Sequence, residues 1–249
     1  MSIKNLNREQ ILEGLSRYEP RVEHRIRTLY VNDFIDEKDF DRACKLYSNL
    51  KGTHYDTVIF VERFPGEHKN QLPMISNIEY ETPIGNVPAN DTLRNEFCDE
   101  EDDFFIDDEG FSDKMSMTDH LMMLQCIMED FTALSVQIAS YRTSIIRELS
   151  YAMTELLRER NALMVFCSDI SNSKYDDLIQ MEQMVKDNAH TRLLNYLNTG
   201  DAGMLGHNAF MSGILVSETL ELKNSFLPFE KEDSFFLAGY GCLTNYKVR

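Results

Sequence analysis

The stretch Ala162-Leu163-Met164-Val165-Phe166-Cys167-Ser168-Asp169 decides the fold. Its apolar residues run without alternation from Ala162 to Cys167 and stop at Ser168 and Asp169. Such a run, flanked by helix-like sequence, predicts a strand buried on both faces. Residues just past the carboxyl end of a buried strand line the usual ligand crevice of an open α/β sheet. Ser168 and Asp169 therefore mark where a site is expected.

Working outward, Thr143 to Arg160 predicts a helix, with Ile146, Leu149, Met153, Leu156 and Leu157 at three- and four-residue spacing. Ala133 to Ala139 predicts a strand, with Leu134, Val136 and Ile138 alternating. Thr57 to Val61 predicts another, being β-branched and aromatic with polar ends. Further upstream, Leu6 to Tyr18 predicts a helix ended by Pro20, Arg25 to Val31 a strand, and Asp36 to Tyr47 a capped helix. Pro83 and Gly85 punctuate a turn, and Asp91 is expected to cap a short helix through Phe97. Ser116 to Met128 is helical in pattern. Downstream, Tyr175 to Tyr196 reads as helix with one break, Phe210 to Leu222 as helix, and Phe235 to Thr244 as a last strand. Gly239 and Gly241 inside that strand predict a bulge or a close backbone approach. Strands alternating with helices imply a single α/β domain, its mostly parallel central sheet covered by helices on both faces. The chain divides into an N-terminal helix and lead-in over 1–24 and the α/β domain over 25–249.

The chain has 249 residues and a formal net charge of −17. That balance argues against nucleic acid as a partner, since phosphate binding needs clustered Lys and Arg. No apolar run is long enough for a bilayer, and the first residues lack a signal-peptide core, so a cytoplasmic protein is expected. The five cysteines are widely spaced with no C-x-x-C, which fits reduced thiols better than a disulfide framework. Much of the acidity lies in a loop over 99–110, where Asp99 to Glu109 carries carboxylates and no base. The plainer reading is a solvated, dispensable loop; the alternative uses Phe104-Phe105-Ile106 to dock a partner.

Several stretches, taken in order, resemble the Memo-like family, known in bacteria as the Memo component (protein B) of AmmeMemoRadiSam systems and related in fold to class III extradiol dioxygenases. Tyr80-Glu81-Thr82-Pro83-Ile84-Gly85-Asn86-Val87 is close to the family's Y-x-T-P-L-G-D-V. Val165-Phe166-Cys167-Ser168-Asp169-Ile170-Ser171 is close to V-V-S-S-D-F-S. Asn198-Thr199-Gly200-Asp201 resembles a G-D turn, and Leu237-Ala238-Gly239-Tyr240-Gly241 resembles the terminal V-G-Y-A strand.

The resemblance implies a metal centre of two histidines and a cysteine, and the departures fall on it. Val31 stands where the first histidine is expected and Leu205 where the cysteine is. Asp113-Lys114-Met115-Ser116-Met117-Thr118 replaces D-E-H-S-x-E, and Asn172 ends the S-D-F-S-H stretch. His68, in Pro65-Gly66-Glu67-His68, keeps a histidine only with a shifted loop. Valine and leucine do not ligate as imidazole and thiolate do. The resemblance thus implies an accessory or binding pseudoenzyme with a degenerate metal site and no cofactor. Its partner would be a protein or a small molecule, and a homo-oligomer is possible. The alternative is a metal-dependent oxidoreductase, dioxygenase-like, or a hydrolase. It would use iron, copper or zinc in a site rebuilt from His68, Asp169 and His207 with Glu67. Asp169, Ser168 and His120 are the catalytic candidates. Capping is the plainer role for Asp169, and Ser168 lacks a G-x-S-x-G setting. His120 simply continues an amphipathic face in the plainer reading.

Overall fold

The β-branched segment Thr57–Arg63 and the apolar run Ala162–Cys167 lie side by side in the interior of a six-stranded sheet. The computed structural model describes residues 3–64, 66, 71–100, 103–108, 116–140, 142–229 and 236–247. In chain order the strands are β1 (His24–Val31), β2 (Thr57–Arg63), β3 (Leu72–Met74), β4 (Glu79–Thr82), β5 (Gly85–Pro88), β6 (Phe104–Ile106), β7 (Thr132–Ile138), β8 (Ala162–Cys167), β9 (Leu222–Phe226) and β10 (Ala238–Lys247). The helices are α1 (Arg8–Ser16), α2 (Phe40–Tyr47), α3 (Asp91–Glu100), α4 (Met117–Gln125), α5 (Thr143–Leu157), α6 (Tyr175–Lys186), α7 (His190–Asn198) and α8 (His207–Thr219).

The main sheet runs β7-β2-β8-β1-β10-β9. β7, β2, β8 and β1 are parallel neighbours; β10 and β9 extend the sheet antiparallel. Alternate side chains of each parallel strand feed two cores. Ile59, Val61, Met164 and Phe166 face α5, α6, α7 and α8. Val58, Phe60, Leu163 and Val165 face α1, α2, α4 and the β4–β5 hairpin. Both faces being covered explains why β2 and β8 read as unbroken apolar runs. Gly239 and Gly241 mark close approach: a Cβ at the first would overlap the Phe226 ring, and at the second the Thr28 hydroxyl.

Several boundaries differ from the sequence reading. The N-terminal helix is shorter, Arg8–Ser16, and Asn7 opens it with a capping box to Gln10. α2 starts at Phe40 rather than Asp36, after a turn in which Asp39 N–H donates to Asp36 O at 2.9 Å. Asn90, not Asp91, caps α3 by accepting from Leu93 N–H at 3.0 Å. The 175–196 segment splits into α6 and α7 at Asn188, which has φ 51°. β9 occupies residues expected to end or follow the last helix, so α8 stops at Thr219.

The acidic segment needs the largest correction. α3 extends through its first residues, and Phe104–Ile106 pairs as β6 with β3. Phe104 is 2% exposed and packs its ring 4.9 Å from Phe97, whereas Phe105 remains 42% exposed. Asp108 accepts from Ser76 N–H at 2.8 Å and from its hydroxyl at 2.6 Å. Residues 101, 102, 109 and 110 lie outside the described residues. Removing the segment would strip an aromatic anchor of roughly 2–3 kcal/mol from the core, so a stability cost is expected where the sequence reading expected little. Among the described residues no helix is long and apolar enough to cross a membrane.

Candidate functional site

The carboxyl ends of β1, β2, β7 and β8 converge, and the polar residues just past the apolar runs gather there. β1 ends at Val31, which is fully buried in the core beneath. Val31 is thus not the residue at the crevice; Asn32 and Asp33 are. The chain leaves the strand in an order that puts its apolar side chain inward and the next carboxylate outward.

The floor is built by α4 and the ends of β1 and β2. His120 is fully buried; its Nε2 lies 2.8 Å from the Asn32 carbonyl oxygen and its Nδ1 2.8 Å from the Tyr47 hydroxyl. A carbonyl only accepts, so Nε2 carries the proton and Tyr47 donates to Nδ1. Burial pushes the imidazole down to about 4. Beside it, Asp119 accepts from Ile35 N–H at 2.9 Å. Adjacent residues of α4 thereby hold the loop after β1 at two points. His120 thus bonds through both ring nitrogens and does more than continue an amphipathic face.

Glu62, unremarked in the sequence reading, completes the floor. It is 1% exposed, and its Oε2 accepts from Ser116 N–H (2.8 Å), Met117 N–H (3.0 Å) and the Ser116 hydroxyl. Its Oε1 accepts from the Ser135 hydroxyl at 2.7 Å. The carboxylate thus caps the amino end of α4, where orphan N–H groups need an acceptor. A lone acid closing an apolar strand was the available signal.

Asp33 differs. Its side chain is 10% exposed, and its Oδ2 lies 3.7 Å from Arg63 Nη2, an ion pair beyond hydrogen-bond range. Its Oδ1 is buried without a hydrogen-bond partner among the described residues. Burial pushes the carboxyl up to about 7; Arg63 opposes the shift, while the negative charges of Asp169 and Glu62 add to it. Asp33 and Asp169 both line a small cleft of about 170 Å³.

Asp169 makes a two-way backbone bridge with Leu205 at 2.9 and 2.8 Å, and its Oδ1 accepts from Ser171 N–H at 2.8 Å. That closes the loop after β8, the capping role expected of it. Ser168 is buried and its hydroxyl donates to the Gly206 carbonyl at 2.9 Å, tying β8 to the start of α8. Gly206 needs φ 74° to enter that helix. His207 follows, its Nε2 3.2 Å from Asn198 Oδ1, with burial lowering its pKa. Leu205, where the resemblance places the cysteine, is 43% exposed.

Leu205 and His207 line a second, larger cavity of about 380 Å³ between the ends of β2 and β7 and the α7–α8 connection. Asp169 lines the small cleft and His207 the larger cavity. His68 and Glu67 lie outside the described residues. Cys167, the thiol nearest these strand ends, is buried in the core, which pushes it well above the usual thiol range. Among the described residues no three His, Cys, Asp or Glu side chains are grouped to hold a metal ion. Among the described residues the small cleft offers the carboxylates of Asp33, Asp36, Asp39 and Asp169 and the amine of Lys38, with the Arg63 guanidinium beside Asp33. That donor set does not fit a centre of two imidazoles and a thiolate.

A family model described as "Memo-like protein" matches residues 12–230. The chain therefore belongs to the Memo-like family. Among solved structures, the chain is similar in fold to an uncharacterized protein, JW3007, from Escherichia coli K12. The TM-score is 0.60 and the identity 13%, over 88% of this chain and 100% of the other. At that identity the likeness concerns the fold alone. No curated protein matches the chain in sequence.

Proposed function

We propose that this is an accessory, non-catalytic member of the Memo-like family. Its crevice receives a small organic ligand and does not hold the metal that the resemblance implies. One observation carries the reading: the Arg63 guanidinium stands beside Asp33 at the ends of β1 and β2. A divalent cation held by Asp33 and Asp169 would sit against a fixed positive charge, and both donors are oxygens rather than the nitrogen and sulfur that suit iron, copper or zinc. The imidazole nearest the crevice floor, His120, has both nitrogens committed. A cytoplasmic setting fits the chain, since Cys44, Cys98, Cys126, Cys167 and Cys242 are all free thiols.

The test is metal analysis of protein purified without chelator or a histidine tag. The expected outcome is substoichiometric iron, copper and zinc, and no rise in Tm when each is added. Tight one-to-one binding abolished by His68→Ala would overturn the reading in favour of a metal-dependent enzyme.

A further inference from the structure

We infer that the larger cavity is a binding site for a small monocarboxylate with an apolar body, its carboxylate paired with Arg63. Arg63 lines this cavity and contacts Asp33 of the neighbouring cleft, so the inference rests on reading this end of the sheet as a ligand site, and it names the cavity and the ligand class.

Three observations carry it. The first is charge. In a chain of net charge −17, the described residues lining this cavity include one formally charged side chain, Arg63, and no carboxylate. The second is that Arg63 is weakly engaged. Its side chain is 39% exposed, and its ion pair among the described residues is the 3.7 Å contact to Asp33. Burial pushes the Asp33 carboxyl up to about 7, which weakens that pair at neutral pH. The planar fork of an arginine matches a carboxylate through two parallel hydrogen bonds.

The third is the wall. Phe64, Ile138, Leu197 and Met204 provide apolar surface, and Asn198 and Ser140 provide a few polar edges. A cavity of about 380 Å³ with mostly apolar walls and one charge suits a compact apolar body carrying one ionised group. A phosphate dianion would bring two charges to a single guanidinium with no lysine beside it among the described lining residues. The amino end of α8, at His207 to Ala209, also lines the cavity and favours the same sign of ligand charge.

The experiment uses the full chain, treated with chelator and dialysed, titrated calorimetrically with 3-phenylpropionate, with 3-phenylpropionamide and with inorganic phosphate. One-to-one saturation by the carboxylate is expected, with the amide at least tenfold weaker and phosphate without saturation. Arg63→Gln should weaken the carboxylate at least tenfold. Leu205→Trp, at a half-exposed position on the cavity wall, should block it while leaving Arg63 in place. Circular dichroism confirms that both variants are folded. The inference is overturned if the carboxylate does not saturate, if the amide or phosphate binds as tightly, or if folded Leu205→Trp binds as wild type. Chelator treatment separates the two readings: a metal centre found in untreated protein defeats the accessory reading and leaves the carboxylate result standing.

Discussion

Two sets of buried ionisable side chains sit within a few residues of each other at the carboxyl end of the sheet, and they are built in opposite ways. Under α4, Glu62 and His120 have every side-chain polar atom bonded. In the crevice, Asp33 keeps a buried oxygen without a partner among the described residues and shares a loose ion pair with Arg63. Burial alone therefore does not distinguish a site from a scaffold. A satisfied buried charge fixes a local geometry, while an unsatisfied one is a position where a ligand or solvent must complete the bonding. If this contrast is right, substitutions on the floor should cost stability and substitutions in the crevice should not.

The largest effect is expected at Glu62. Replacing it with alanine leaves Ser116 N–H, Met117 N–H and two buried hydroxyls without their acceptor and uncaps α4. Glu62→Ala should cost roughly 3–5 kcal/mol in urea unfolding. A loss below about 1 kcal/mol, the size of an ordinary surface change, would show that water replaces the carboxylate and that the floor is not dry.

A smaller effect, with a pH signature, is expected at His120. Its folded-state pKa, near 4, lies below the ordinary 6.5. The native state thus binds this proton less well than the unfolded chain. The stabilisation is full above about pH 6.5 and is lost as pH falls toward 4, on the order of 3 kcal/mol in all. In His120→Gln, which cannot take up that proton, the decline of stability between pH 6.5 and 4 should be shallower by that order. Parallel urea titrations of wild type and variant at half-unit pH steps measure it. Curves that stay parallel through this window would mean that the imidazole is not kept neutral by its burial.

The sheet was legible in the sequence because burial on two faces writes itself as an unbroken apolar run, as at Thr57–Val61 and Ala162–Cys167. α5 was legible from its stripe, ending at Leu157 rather than Arg160. β9 was not, because Leu222-Lys223-Asn224-Ser225-Phe226 is a half-exposed strand at the edge of the described sheet, paired with β10, and such strands need no apolar pattern. Phe104 was hidden for another reason: its carboxylate neighbours dominate the local composition, yet one ring reaching Phe97 outweighs them in packing. At the site, Asp169 was legible from its place after β8. Asp33 and Arg63 were not, because assigning Val31 to the crevice displaced the reading by two residues. A carboxylate's missing partner is a three-dimensional fact with no local sequence signal.

The smallest effect, and the one of opposite sign, is expected at Asp33. Its carboxyl is raised from 3.8 to about 7, so the native state holds this proton more tightly than the unfolded chain does. That contribution is complete below about pH 4 and is lost as pH rises through 7, where the buried carboxylate must ionise. Asp33→Asn mimics the neutral acid at every pH. Below pH 4 the variant and wild type should be equally stable, and above pH 7 the variant should be the more stable. The full shift would set a ceiling near 4 kcal/mol, but Arg63 loses its counter-charge in the variant and the cleft admits solvent, so a gain of about 1 kcal/mol is expected. Urea midpoints at pH 4 and pH 8 read the difference directly. A variant less stable than wild type at pH 8 would mean that Asp33 is held as a satisfied ion pair. It would then belong with Glu62 in the scaffold, and the distinction between floor and crevice would collapse.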